Sequence, residues 1–124
     1  DMKPNFVLDK IDHAVNSIGR KKSELTIACL GLAFKPDIDD LRESPALNIA
    51  KQISLMKFKK VFLVEPNISK APKEFKAGTK ITLMDEALKV ADIVVLLVDH
   101  IQFKTMDLNL LSGKQIVDTR GIWS

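Results

Sequence analysis

Apolar residues first recur at helical spacing. Val7, Ile11, Ala14, Val15 and Ile18 share one face of a segment from about Pro4 to Ser17, which predicts an amphipathic helix. Pro4 suits its first turn, where a missing N–H is harmless. The polar stretch Gly19-Arg20-Lys21-Lys22-Ser23 then breaks the pattern and reads as a connector. From Leu25 the spacing changes to short apolar runs separated by helical segments. Leu25 to Leu30 predicts a strand, and a loop opens at Gly31. A helix follows, with Ser44 as N-cap, Pro45 at the first position, and Ala46, Ile49, Ala50, Ile53 and Met56 on one face. Val61 to Val64 predicts a second strand, closed by Glu65-Pro66-Asn67.

Lys70 to Lys80 is lysine-rich and turn-like. Leu83, Met84, Ala87 and Leu88 predict a short helix capped by Thr82. Ile93 to Val98 is apolar on both faces, the mark of a central strand in a covered sheet. A helical or irregular stretch from Phe103 to Leu111 leads through Ser112-Gly113-Lys114 into a fourth strand, Gln115 to Val117. Strands alternating with helices predict an α/β fold: a Rossmann-like parallel sheet with flanking helices, preceded by an N-terminal helix.

The 124 residues predict one domain, large enough to bury roughly two-thirds of its unfolded surface. No apolar run reaches the ~20 residues of a membrane helix, and no signal peptide opens the chain. A single cysteine excludes an internal disulfide and a cysteine-rich zinc site. Together these predict a cytoplasmic protein. The net charge of +3 hints at an acidic ligand such as a phosphate. With scattered lysines, no tyrosine and one tryptophan, nucleic-acid binding is not expected. The helical lead-in reads like part of something larger.

Ligands of such sheets bind beyond the carboxyl ends of the strands, so the chemistry is sought there. The loop after the first strand carries Lys35 and Arg42 on the approach to a helix N-terminus, a place that favours anions. The same spacing also admits surface ion pairs with Asp37, Asp39, Asp40 and Glu43. Arg120, in Asp118-Thr119-Arg120 after the last strand, falls on the ligand rim or is a solvated terminal residue. Glu65 stands where an acid receives a ribose hydroxyl in dinucleotide folds. Yet no G-x-G-x-x-G follows the first strand. Cys29, inside the first strand, reads as a small buried hydrophobe. Asp99-His100 invites an acid–base reading, but no nucleophile lies nearby in sequence, so a turn is expected. His13 lies in the lead helix, and no metal-ligand spacing is present.

Gly31-Leu32-Ala33-Phe34-Lys35, followed by Asp39-Asp40-Leu41-Arg42-Glu43-Ser44-Pro45, resembles the signature that opens the C-terminal UDP-binding domain of the UDP-glucose/GDP-mannose dehydrogenase family. Val64-Glu65-Pro66-Asn67, the run from Ala91 to His100, and Val117-Asp118-Thr119-Arg120-Gly121 agree with it. Phe34 through Ala46 and the ending Gly121-Ile122-Trp123 are most similar to the UDP-N-acetylmannosamine branch. The resemblance divides the chain into residues 1–22, a helix leaving an absent central dimerisation domain, and residues 23–124, the UDP-sugar-binding domain. It implies an NAD-dependent oxidation of a sugar C6 alcohol to a carboxylate, here for surface polysaccharide synthesis, by a homo-oligomeric full-length enzyme. Phe34, Lys35 and Arg120 match substrate contacts, and Arg42 matches an arginine that reaches toward NAD. The family's nucleophile, a cysteine in a Gly-Phe-Gly-Gly-x-Cys context, and its Gly-rich NAD turn do not occur in this sequence. The resemblance therefore implies a piece that binds without reacting. Alternatives are a domain for another UDP-sugar of the family, or a non-enzymatic receiver or nucleotide-sensing module with Asp37, Asp39, Asp40 and Asp99 around a cation.

Overall fold

A computed structural model of the chain describes residues 3–33, 35–37, 41–42, 44–68, 75 and 78–123. Helix α1 (Pro4–Ile18) starts on Pro4 and stops at Gly19, whose φ of 77° carries the backbone off the helix. Strands β1 (Thr26–Leu30) and β2 (Lys60–Val64) flank helix α2 (Pro45–Ser54) in the chain. Then come β3 (Thr79–Ile81), α3 (Met84–Val90), β4 (Ile93–Leu96), the single turn α4 (Ile101–Lys104) and β5 (Gln115–Asp118). All neighbouring strands are parallel, in the order β3-β2-β1-β4-β5. The expected α/β sheet with an N-terminal helix is therefore present.

Strand periodicity divides the core into two layers. On one side Ile27, Cys29, Val61, Leu63, Ile93 and Val95 pack with Val7 and Ile11 of α1 and Ile49 and Ile53 of α2. On the other side Ala28, Leu30, Phe62, Val64, Val94 and Leu96 pack with Ala87 and Leu88 of α3 and with Phe103. Strand β1 is buried along its whole length, as an interior parallel strand requires. Helix α1 shares this core rather than standing clear of it.

Three local expectations are corrected. A fifth strand, β3, begins at the end of the stretch predicted as a turn, Lys70 to Lys80, and runs one residue past it. Its three residues pair only with β2 at the sheet edge, too short a run to show alternation in sequence. Thr82 does not cap α3; Leu83 precedes that helix without a side-chain cap, and the Thr82 hydroxyl donates to the Lys80 carbonyl (3.4 Å). Finally, β4 ends at Leu96 instead of Val98, because Leu97 N and Val98 N both donate to Leu30 O (2.9 and 3.3 Å). The cap expected at α2 is present. Ser44 Oγ accepts from Leu47 N (3.1 Å) and donates to Leu32 O (2.6 Å), tying the helix start to the loop after β1.

Candidate functional site

The carboxyl ends of β1, β2, β4 and β5 meet at one edge of the sheet. Gly31 turns the chain off β1 with φ 96° and passes close to Val98. The next two N–H groups, of Leu32 and Ala33, are those that a dinucleotide fold would aim at a pyrophosphate. Here both donate to Glu65 Oε1, at 2.8 and 3.1 Å. Glu65, at the end of β2, has a completely buried side chain. Its Oε1 also faces His100 Nε2 at 2.8 Å, and its Oε2 accepts from Asn67 N at 3.1 Å. The acid expected to meet a ribose hydroxyl is thus turned inward with its lone pairs occupied. A carboxylate stands in the crevice where a dinucleotide's phosphates would lie. The crevice between the ends of β1 and β2 therefore does not fit the pyrophosphate of NAD.

Burial by itself raises the Glu65 carboxyl, but hydrogen bonds from His100, Leu32 N and Asn67 N outweigh it. The group is held below its ordinary value of 4.5 and is ionised at neutral pH. His100 is wholly buried after β4. Its Nδ1 accepts from Asp37 N at 2.7 Å, so that nitrogen carries no proton. The ring proton is therefore on Nε2 and is donated to Glu65. Asp37 in turn uses Oδ1 to accept from Ile101 N (2.7 Å), the first N–H of α4. The dipeptide expected only to shape a turn instead joins three loops. Sequence reading missed this because Glu65 and His100 lie 35 positions apart. The available signal was a glutamate and a histidine at the ends of two apolar strands, where unpaired polar groups are costly.

The residues singled out in the sequence take these places. Lys35 lies in the loop after β1 and Arg42 on the approach to α2, both exposed. Phe34 falls outside the described residues, as do Asp39 and Asp40. Arg120 follows β5, with its Nε 3.5 Å from Asp99 Oδ1. That oxygen is buried and makes no hydrogen bond among the described residues. Asp118 shapes the turn beneath the arginine, its Oδ1 accepting from Arg120 N (2.9 Å) and Gly121 N (2.7 Å). Strand β4 lies between β1 and β5. The pair that follows it therefore serves both flanking loops: His100 contacts the Lys35 loop through Asp37, and Asp99 faces Arg120.

No cluster of metal-ligating side chains occurs among the described residues. Cys29 is sealed in β1, and burial pushes its thiol up to about 12. A thiol so raised is a poor nucleophile. In native protein at pH 7–8 it is expected to leave a disulfide reagent such as DTNB unreacted, and to react at one equivalent after unfolding in guanidinium. Rapid reaction of the native protein would show that β1 opens.

A family model described as "UDP-glucose/GDP-mannose dehydrogenase family, UDP binding domain" matches residues 28–124. The chain belongs to this family. Over 127 aligned residues it is 44% identical to UDP-N-acetyl-D-mannosamine dehydrogenase of Escherichia coli K12, covering 99% of this chain and 30% of that enzyme. It is also 44% identical to NDP-N-acetyl-D-galactosaminuronic acid dehydrogenase of Ralstonia nicotianae, covering 100% of this chain and 28% of that enzyme. Among solved structures it is similar to the UDP-D-ManNAc dehydrogenase of Pyrococcus horikoshii. The TM-score is 0.78 at 28% identity, over 98% of this chain and 28% of that one. The chain thus spans less than a third of the length of these relatives, and in them the matching portion is one domain of a larger enzyme. The family's UDP-binding domain matches from within β1 onward, so α1 precedes the matched region while sharing its core.

Proposed function

We propose that the chain is the nucleotide-sugar-binding portion of an NAD-dependent UDP-sugar 6-dehydrogenase that converts UDP-N-acetyl-D-mannosamine to the corresponding uronate, a step toward surface polysaccharide. The carrying observation is family membership over residues 28–124 combined with whole-chain identity of 44% to an enzyme of that name. Phe34, Lys35 and Arg120 are the substrate contacts in this reading. Lys35 supplies a point charge beside the sugar nucleotide, and Arg120 a planar fork. Arg42 extends from the approach to α2 toward NAD held by a preceding domain. The inward-facing Glu65 supports that division of labour, because the chain's own crevice does not fit a dinucleotide. Residues 1–22 lead in from the preceding domain, and residues 23–124 form the binding unit. The assembled enzyme is a cytoplasmic homo-oligomer. The nucleophile also belongs to the preceding part, so this chain alone reduces no NAD. No helix among the described residues is long and apolar enough to cross a membrane.

Titration calorimetry with UDP tests the reading. The chain is expected to bind UDP weakly, and Lys35→Ala to weaken binding ~10- to 100-fold, the size of one charge-assisted contact. Absence of binding at millimolar UDP would overturn a self-sufficient nucleotide site. Equal identity to the galactosaminuronic acid enzyme favours a second reading in which the sugar differs. NADH formation by the enzyme including its preceding domains, with each UDP-N-acetylhexosamine in turn, separates the two.

A further inference from the structure

We propose that Glu65 and His100 are positioning residues that fix the path of the loop bearing Lys35. The inference rests on the reading of Lys35 as a ligand contact and adds what holds that contact in place. The loop is fastened at two points on either side of Lys35. At the near end Leu32 N and Ala33 N donate to Glu65 Oε1. At the far end Asp37 N donates to His100 Nδ1 at 2.7 Å, and Asp37 Oδ1 accepts from Ile101 N at 2.7 Å. The two fastenings are themselves joined by the 2.8 Å contact between His100 Nε2 and Glu65 Oε1. Lys35 and Pro36 therefore lie between two anchors of one buried, hydrogen-bonded unit.

Two further features point the same way. Asp37 has φ 63°, a left-handed conformation that a non-glycine residue adopts at some expense and keeps only where its surroundings enforce it. Here they do so through both its N–H and its carboxylate. Moreover, both Glu65 and His100 side chains are fully buried. Apolar packing of the same volume commonly stabilises a core as well as a buried ionic contact does. What an apolar pair could not do is hold three backbone N–H groups of this loop, those of Leu32, Ala33 and Asp37, in place at once. The imidazole can do so because its two nitrogens have opposite roles, one donating to β2's carboxylate and the other accepting from the loop.

The test separates positioning from plain structural support. His100→Gln places an amide near the Nε2 position, keeping a donor for Glu65 while removing the acceptor for Asp37 N. His100→Asn keeps an acceptor near the Nδ1 position. His100→Gln is expected to weaken UDP binding about fivefold or more, the effect of one hydrogen bond, and to accelerate hydrogen exchange of the Asp37 amide. His100→Asn is expected to slow that exchange again. In a Lys35→Ala background the His100→Gln penalty on UDP affinity should shrink to less than about twofold, because the two act through one contact. An undiminished penalty there would overturn the proposal, as would unchanged Asp37 exchange in His100→Gln. Should His100→Gln fail to fold, Asp37→Ala serves instead. Its side chain is 52% exposed, and it removes the Ile101 anchor with the same expected loss and the same non-additivity. Should the unaltered chain fail to bind UDP, the self-sufficient nucleotide site falls. The Asp37 exchange rates then decide the positioning claim alone: unchanged rates refute it and accelerated rates uphold it.

Discussion

Gly31→Ala is expected to lower the melting temperature by at least ~10 °C, equivalent to a few kcal/mol for a domain of this size. Gly31 has φ 96°, which an L side chain rarely adopts, and a Cβ there would lie 2.6 Å from Val98 Cβ, 2.8 Å from Val98 N and 3.0 Å from Val98 O. Neither partner has room to retreat. Gly31 N donates to Val64 O (2.8 Å), while Leu97 N and Val98 N are held on Leu30 O. The backbone conformation alone costs ~1–3 kcal/mol, and forcing a methyl into a close-packed contact adds ~1–3 kcal/mol. Against a total stability of ~5–15 kcal/mol the sum is severe. Gly113→Ala is the control: φ is 77°, but nothing lies within 4 Å of the added Cβ. Thermal unfolding followed by circular dichroism compares the two. If Gly31→Ala melts within a few degrees of Gly113→Ala, the approach to Val98 is not what demands glycine.

That glycine marks the boundary of what the sequence makes legible. The turn off the first strand can be read, because glycine between an apolar run and a polar loop breaks the strand and frees the backbone to change direction. The same holds for α2, where Ser44 and Pro45 mark the helix start, and for the wholly apolar β4. Contacts that depend on pairing across the sheet cannot be read in this way. Glu65 and His100 each suggest a separate role in sequence, a ribose contact and a turn, and only strand order brings them to one point. The strand β3 escapes for a different reason. Three edge residues, the half-buried Thr79 and Ile81 around an exposed Lys80, at the end of a lysine-rich stretch carry less pattern than noise. Lys35, Arg42 and Arg120 do fall past strand ends, as the spacing implies. What supports two of those loops, the Asp99-His100 pair, emerges only from the register that seats β4 between β1 and β5.

Glu65→Ala is expected to destabilise the fold by ~3–5 kcal/mol, the usual effect of removing one partner from a buried polar pair. The reason is the number of donors left behind. Leu32 N, Ala33 N, Asn67 N and the His100 Nε2 proton all converge on its two oxygens. Each buried donor left without an acceptor costs ~1–3 kcal/mol unless water enters. Glu65→Gln preserves the shape and one acceptor but turns an amide N–H₂ toward a donor, so an intermediate loss is expected. The charge itself has a separate signature. The folded carboxyl lies below its ordinary 4.5, so on acidification the unfolded chain takes up this proton first. Its stabilising contribution is therefore complete above about pH 4.5 and is lost as pH falls through the lower folded value. Urea unfolding at pH 7 and at about pH 3 should show the gap between the native chain and Glu65→Gln narrowing in acid, because the unfolded native chain then takes up a proton that its folded carboxylate resists, whereas the amide takes up none. A gap that stays constant would mean that Glu65 acts through shape alone. Its ionised state would then be incidental to closing the crevice that other folds of this type keep open for a dinucleotide.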